Sequence, residues 1–425
     1  MAWVVWGVGI AAYAGAIMQR TSLGVVGIQA AEHFNTTVGI VSTFVVVQIA
    51  TYALMQVPTG LLLDRFGSRI MLVAGSLVMT AGQLTMALTD DLGIAIAARV
   101  VLGAGDACIF VSIIRLLPFW FPPQRVPILS QMTGMLGQLG QLAAVVVLLP
   151  MVNWAGWRPT FLVSAAICLV LGVCCLLAVR DVPPHLERVT SHDRVRDIPA
   201  QVWQVLRHPG TQLGFWVHLT SGFPVNTFVL MWGIPYLVVG EGRTQAEASA
   251  LFSLTVVFSA VFGPLIGWLT ARHPLRRSNL ALLVIFSIMV CWAGVLLWPG
   301  TSPTWLLLLL VLAISAGGPG TGIGIDYART LLPPKRWGAA NGVVISGSFG
   351  GGTVMILAIG LFLDAVGQGQ PYTATQLTWA MALQFPLFAV GLTGIFVARS
   401  RLRRRMVSEG VVVPSWREVA KRYRR

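Results

Sequence analysis

The chain has 425 residues, of which 56% are hydrophobic and only 10% charged, far from the quarter-charged make-up of a soluble domain. A lipid solvent accounts for that composition: at about 20 apolar residues per crossing of a core roughly 30 Å thick, there is room for about a dozen helices and little for an extramembrane domain. The formal charge of +14 invites a nucleic-acid reading, but ten of the 29 basic residues lie between Arg399 and Arg425 and most others lie in short loops, so the charge is read as topology and nucleic acid is excluded as a partner.

In chain order, apolar runs predict spans at 3–30, 38–62, 70–89, 92–119, 126–149, 159–179, 211–239, 246–270, 279–299, 304–332, 337–364 and 374–397. The first of these lacks a basic n-region and is too long for a signal h-region, so it is expected to stay as a span. Alternate loops then divide by charge. Arg65 and Arg69, Arg125, Arg180 to Arg207, Arg272, Arg276 and Arg277, Lys335 and Arg336, and the tail fall on one side; Arg158 and Arg243 fall on the other. The positive-inside rule places both termini in the cytoplasm of a cell whose inner or plasma membrane holds the chain.

The segment 181–208 is polar, charged and punctuated by proline, as a cytoplasmic linker between halves would be. The halves also repeat. GLLLDRFGSR (60–69) returns as GWLTARHPLRR (267–277), and PPQR (122–125) returns as PPKR (333–336), at offsets of 207 and 211. Two offsets so close indicate a duplicated unit of six helices. The organisation expected is an all-α membrane protein of twelve transmembrane helices in two pseudo-symmetric six-helix bundles, 1–180 and 209–398, followed by a basic tail, 399–425, lying on an anionic leaflet. The five cysteines, Cys108, Cys168, Cys174, Cys175 and Cys291, sit in apolar runs without metal-ligand spacing and read as small core hydrophobes. Tryptophans at span ends, among them Trp3, Trp154, Trp157, Trp298 and Trp305, read as interface anchors.

After span two the chain reads Gly60-Leu-Leu-Leu-Asp64-Arg65-Phe-Gly67-Ser-Arg69. An aspartate at a helix end between two glycines is more than an ordinary basic loop requires. Asp64 can receive the positive end of another helix dipole, such as the start of span eleven near Trp337, while Arg65 and Arg69 bind carboxylates or lipid phosphates. The second copy has Ala271 in place of Asp64, so a matching latch in the C-terminal half is expected to be weaker. Span four reads Arg99-Val-Val-Leu-Gly103-Ala-Gly105-Asp106, and span one carries Arg20.

The Gly60–Arg69 segment matches the G-x-x-x-D-R-x-G-R/K-R/K motif of the major facilitator superfamily except at Ser68, and Arg-x-x-x-Gly in span four is a second motif of that superfamily. An arginine in span one with an Arg-x6-acid pair in span four resembles its anion:cation symporter branch, whose members move sugar acids, sialic acid and related carboxylates with protons. The acid there is usually glutamate and the span-one arginine usually follows aspartate; here they are Asp106 and Gln19.

The residues argue the same way by themselves. A mid-membrane charge costs about 2.5 to 3.5 kcal/mol even on lenient scales, so each must face partners or water. Arg20, Arg99 and Asp106 are the deepest, and Arg99 and Asp106, two turns apart on one face, line one cavity without pairing directly. Two positive charges against one negative leave room for an anion. Arg20 and Arg99 are the expected anion ligands, with Gln138, His218 and Asn226 as secondary substrate contacts and Gln48 and Gln141 as further candidates. Asp106 is the expected carrier of the coupling proton. Against this stands a purely structural Arg99–Asp106 link, and for His218 a packing role. Arg115, Asp326 and Arg329 read either as local pairs or as an inner gate.

GGPGTGIG (317–324) lies inside a span and lacks a following G-K-[ST], so no nucleotide motor is expected. No cofactor or metal and no enzymatic activity are expected either. The expectation is a monomeric secondary transporter importing a small organic anion with protons by alternating access. One rival is a proton-driven exporter of drugs or metabolites, although span five reads Gly134-Met-Leu-Gly137-Gln-Leu-Gly140-Gln without the proline of the exporters' G-x-x-x-G-P-x-x-G-G pattern, and span one lacks their carboxylate. The other is a non-transporting receptor or membrane-embedded enzyme.

Overall fold

The computed structural model describes residues 1–36, 38–184, 198–367 and 372–410. Eleven long helices in it are apolar enough to cross a membrane, and one of them is two spans. The helix Val38–Leu88 is broken at Gly67, whose φ of 80° and ψ of 170° leave the helical region. Only glycine adopts that turn without strain, and it folds the chain back between two spans. The twelve spans are thus α1 (Ala2–Val25), α2 (38–66), α3 (68–88), α4 (Leu92–Trp120), α5 (Val126–Ala155), α6 (Trp157–Ala178), α7 (Pro209–Gly240), α8 (Gln245–Arg272), α9 (Arg277–Leu296), α10 (Thr304–Leu331), α11 (Trp337–Gly367) and α12 (Ala374–Ser408). The loops after α2, α4, α8 and α10 gather at one end, here called the basic side.

Several boundaries differ from the sequence reading. Span one ends at Val25 and is followed by the short helix Gly27–His33. Span five runs on to Ala155 through a wide π turn at Ala144–Leu148, and α7 carries two such turns, Phe228–Trp232 and Tyr236–Gly240. Within the segment read as a linker, Ile198–Arg207 forms an amphipathic helix against α7 and α11, with Trp203 exposed and Val205 buried. Residues 185–197 of that segment lie outside the described residues. The tail is not wholly separate from the last span, because α12 continues through Arg399, Arg401, Arg403, Arg404 and Arg405. Residues 411–425 lie outside the described residues.

One apolar core, around Phe223, Trp292 and Phe388, lies within the second half; the other, around Met79, Ile109 and Ile113, belongs mainly to the first half and runs on into Ala328, Ala339 and Val343 of the second. Large apolar residues such as Leu177, Val261, Leu283 and Leu361 are exposed on the outer surface, where a hydrocarbon solvent would meet them. Lipid gives helices no hydrophobic reason to associate, so contact rests on close packing. At Gly140 of α5, any Cβ would strike the Ala14 carbonyl of α1. Cys168 and Cys175 are buried, but Cys174 is exposed on the surface of α6. Trp157 is likewise not an interface anchor: it is buried, donates from Nε1 to the Met86 carbonyl at 2.9 Å and stacks on His33.

Candidate functional site

The charged centre joins α1 to α4. Arg20 donates from Nε to Asp106 Oδ2 at 2.7 Å and from Nη2 to Oδ1 at 2.9 Å, the two-pronged match of guanidinium to carboxylate. Asp106 is fully enclosed, and the Arg20 side chain is 14% exposed. The guanidinium carbon lies 4.4 Å from the ring centre of Tyr52 in α2 and 5.8 Å from that of Phe349 in α11. Those two rings meet edge-on at 4.7 Å. The pair therefore sits in the N-terminal half but under an aromatic lid shared with the C-terminal half.

Arg99 also faces α1, at Gln19 and Ser22 on either side of Arg20, and is fully buried among neutral oxygens. Its Nη1 donates to the Gln19 carbonyl at 3.3 Å, to Ser22 Oγ at 3.2 Å and to Gln48 Oε1 at 3.2 Å, and its Nη2 donates to Ser22 Oγ at 3.2 Å. Gln19 occupies the position where the symporter branch usually has aspartate, and its amide belongs to a neutral network. It donates to the Ser164 carbonyl at 3.1 Å, and its Oε1 accepts from Gln83 at 2.6 Å and from Ser164 Oγ. Arg99 is thus a buried cation whose contacts here are dipoles rather than a carboxylate.

The other candidates lie apart from this pair. Asn226 of α7 donates to the Ser348 carbonyl of α11 at 3.0 Å. His218 is buried against Gly324 of α10, with Nδ1 lacking a hydrogen-bond partner. Gln138 and Gln141 are exposed, Gln138 at the break between two segments of α5. Gln48 alone among the polar candidates joins a deep arginine.

On the basic side Asp64 crosses between the halves. Its carboxylate accepts from the Gly338 and Ala339 amides at 2.7 and 2.8 Å, the first unpaired N–H groups of α11, with Arg115 Nε 3.6 Å away. Such an approach requires glycine on both helices, since a Cβ on Gly60 would strike the Gly338 carbonyl and one on Gly338 the Gly60 carbonyl. Arg65 is exposed beside Phe66. Arg69 turns to α6: its amide donates to Asp181 Oδ1 at 2.9 Å, and Nε and Nη2 donate to the Leu176 carbonyl at 3.0 and 2.5 Å. On the opposite seam Gln131 Nε2 of α5 donates to the Pro319 carbonyl of α10 at 2.6 Å.

Asp326 pairs with Arg329 one turn on, Nη2 to Oδ1 at 2.5 Å, and also with Arg277 at the start of α9. Arg277, read from sequence as a loop charge, is buried and stacks 4.0 Å over Tyr327. Asp326 stands 211 residues after Arg115, the PPQR/PPKR offset, so equivalent positions of the two halves carry opposite charges.

Sequence reasoning missed Tyr52, Phe349, Gln83, Ser164, Gln131 and Arg277. Tyr52 lies one turn beyond Gln48 on the same face, and Phe349 is the one bulky residue in the small-residue run 347–352, so both carried a usable cue.

Two six-helix halves, a glycine-framed aspartate contact between them and charged groups buried within apolar helices are the architecture of a membrane transporter. Residues 9–242 and 225–423 each match the Major Facilitator Superfamily, and the chain belongs to that family. It is 25% identical over 257 residues to a "Probable sulfoacetate transporter" of Cupriavidus necator, covering 58% of this chain and 59% of that protein. It is 23% identical over 282 residues to a "Putative tartrate transporter" of Agrobacterium vitis, covering 61% and 60%. A "Chloramphenicol resistance protein" of Pseudomonas aeruginosa is 25% identical over 284 residues, covering 63% and 65%. The chain thus spans about three fifths of the length of the first two relatives.

Proposed function

We propose that this transporter carries a small organic anion, a carboxylate or sulfonate, together with a proton across the inner or plasma membrane by alternating access. The observation that carries the reading is the two-pronged Arg20–Asp106 pair at the junction of the halves. Arg20 has one fork, and Asp106 occupies it. An anion can take the fork only if the carboxylate lets go, and a carboxylate so enclosed cannot be left as an unpaired charge. A proton on Asp106 resolves this. One proton and one monoanion add no net charge to the site, so loading the two together avoids the cost of either alone. That is the logic of symport.

Arg99, enclosed among dipoles, adds positive potential that favours an anion without needing to touch it, and direct contact would require the Gln19–Ser22–Gln48 cluster to open. Phe349 and Tyr52, packed on Arg20 from opposite halves, report occupancy of the fork to the halves' relative position. Asp64, with Arg115, holds the basic side shut in the conformation described, and the positive loops set that side, with both termini, in the cytoplasm. The names of the sulfoacetate and tartrate relatives support an anionic cargo.

The test is uptake into proteoliposomes driven by an inside-alkaline gradient, across a panel of small carboxylates and sulfonates, with Asp106→Asn beside the parent. Parent uptake that follows the gradient, and an Asp106→Asn variant that exchanges anion but no longer concentrates it, is the expected result. Gradient-driven accumulation by Asp106→Asn would remove the proton from Asp106. The chloramphenicol-resistance relative favours a second reading, proton-driven export of an uncharged or cationic compound, and no flux of any anion in the panel would select it.

A further inference from the structure

A cavity of about 790 Å³ opens sideways at the basic side, between α7, α11 and α12, with Val57 of α2 and Leu206 of the amphipathic helix at its edges. Its mouth is apolar and exposed, formed by Val390 and Val397 of α12. The hydroxyls of Ser346 and Thr393 in its lining donate to carbonyls of their own helices, and its remaining polar side chains, Thr211, Gln212 and Arg401, lie at the basic end. Arg401 lies there, with a single long hydrogen bond from Nη1 to Gln212 Oε1 at 3.4 Å. Thr211, in the first turn of α7, is fully buried, lines the same cavity and has an Oγ without a hydrogen-bond partner. An apolar trough that opens toward hydrocarbon, with an arginine and an orphaned hydroxyl at its interfacial end, has the polarity of a single-tailed slot for an amphiphile.

The charge around it selects the head. Arg399, Arg403, Arg404 and Arg405 flank Arg401 on the same helix, and Glu409, the acid that follows them among the described residues, already pairs with Arg405 at 2.9 Å. We propose that this cavity is a binding site for one anionic phospholipid of the leaflet on the basic side. An acyl chain lies along Trp216, Val390 and Val397, and the phosphate sits at Arg401 with Thr211 donating to it. The site is separate from the Arg20–Asp106 centre and does not depend on what that centre carries.

The experiment titrates delipidated, detergent-purified full-length protein with phosphatidylglycerol or with phosphatidylcholine of the same acyl chains, and counts bound lipid by native mass spectrometry. The parent should retain phosphatidylglycerol preferentially. Arg401→Gln should weaken phosphatidylglycerol about fivefold, the worth of one basic residue at an anionic surface, and leave phosphatidylcholine unchanged. Ala389→Phe, which fills the trough, should weaken both lipids while the thermal melt shows that the protein is folded. Arg403→Gln, on the same tail but outside the cavity, should have a much smaller effect. Equal retention of the two lipids by the parent, or equal losses in Arg401→Gln and Arg403→Gln, would overturn the assignment by making the tail a diffuse lipid surface. Capture of single-chain lipophilic cations in preference to either phospholipid would overturn it too, by making the trough a substrate portal.

Discussion

Replacing Asp64 with alanine removes the carboxylate that spans the α2–α11 seam. Two backbone donors at 2.7 and 2.8 Å lose a charged acceptor, and hydrogen bonds to charged groups are worth about 1.5 to 3 kcal/mol each. Water can reach the Gly338 and Ala339 amides once the seam parts, so the lower end applies: about 3 kcal/mol of preference for the closed basic side disappears, equivalent to a shift on the order of 150-fold in the closed-to-open ratio. Spin labels at Gln124 and Lys335, exposed on loops of opposite halves, report that ratio when the five native cysteines are replaced. The parent should give one short-distance population in double electron–electron resonance, and Asp64→Ala should add a second, longer one. Superimposable distributions would mean that the latch carries no conformational energy, and the reasoning would fail.

Arg20→Lys keeps the charge but loses the planar fork, so anion KM should rise at least about tenfold in vesicle uptake, the factor that follows from losing one charge-assisted hydrogen bond of about 1.5 kcal/mol. An unchanged KM would move the anion elsewhere. His208 precedes α7 outside the membrane, and its Nδ1 accepts from the Gly210 amide at 3.2 Å. Burial pushes its pKa below the usual 6.5, with Arg405 adding to the effect, so the unfolded chain binds the proton more readily than the folded one. Its contribution is present above about pH 6.5 and is lost as the pH falls through and below that value; the melting temperature should drop over this window, and His208→Asn should flatten the drop.

The spans, the charge division between loops and the six-helix repeat were legible because lipid imposes a length and a hydropathy on every crossing. The Gly60–Arg69 segment was legible for a different reason. A carboxylate that must reach a helix start needs glycine at the contact, and both residue types appear in the string. The partnership of Arg20 with Asp106 was not legible. Spacing says which residues share a helix face, so it placed Arg99 and Asp106 on one side of α4, and both do face α1. It is silent on which residues of α1 each one meets, 77 to 86 positions away. Arg277 was misread for the same reason: its burial is created by α10 packing over a position that looks, in sequence, like one more basic loop residue.

The reversal of charge between Arg115 and Asp326 makes the two edges of the basic side unequal. On one edge a carboxylate from the first half is clasped by the backbone of the second. On the other, where Ala271 replaces Asp64, the acid Asp326 is held by Arg277 and Arg329 of its own half, and Gln131 donating to the Pro319 carbonyl is a neutral tie across the gap. A door fastened more firmly along one side swings from that side. The first water to enter from the basic side is therefore expected between α5 and α8–α10, with α2 and α11 serving as the hinge until Asp64 releases, and label pairs placed along the two edges should separate in that order.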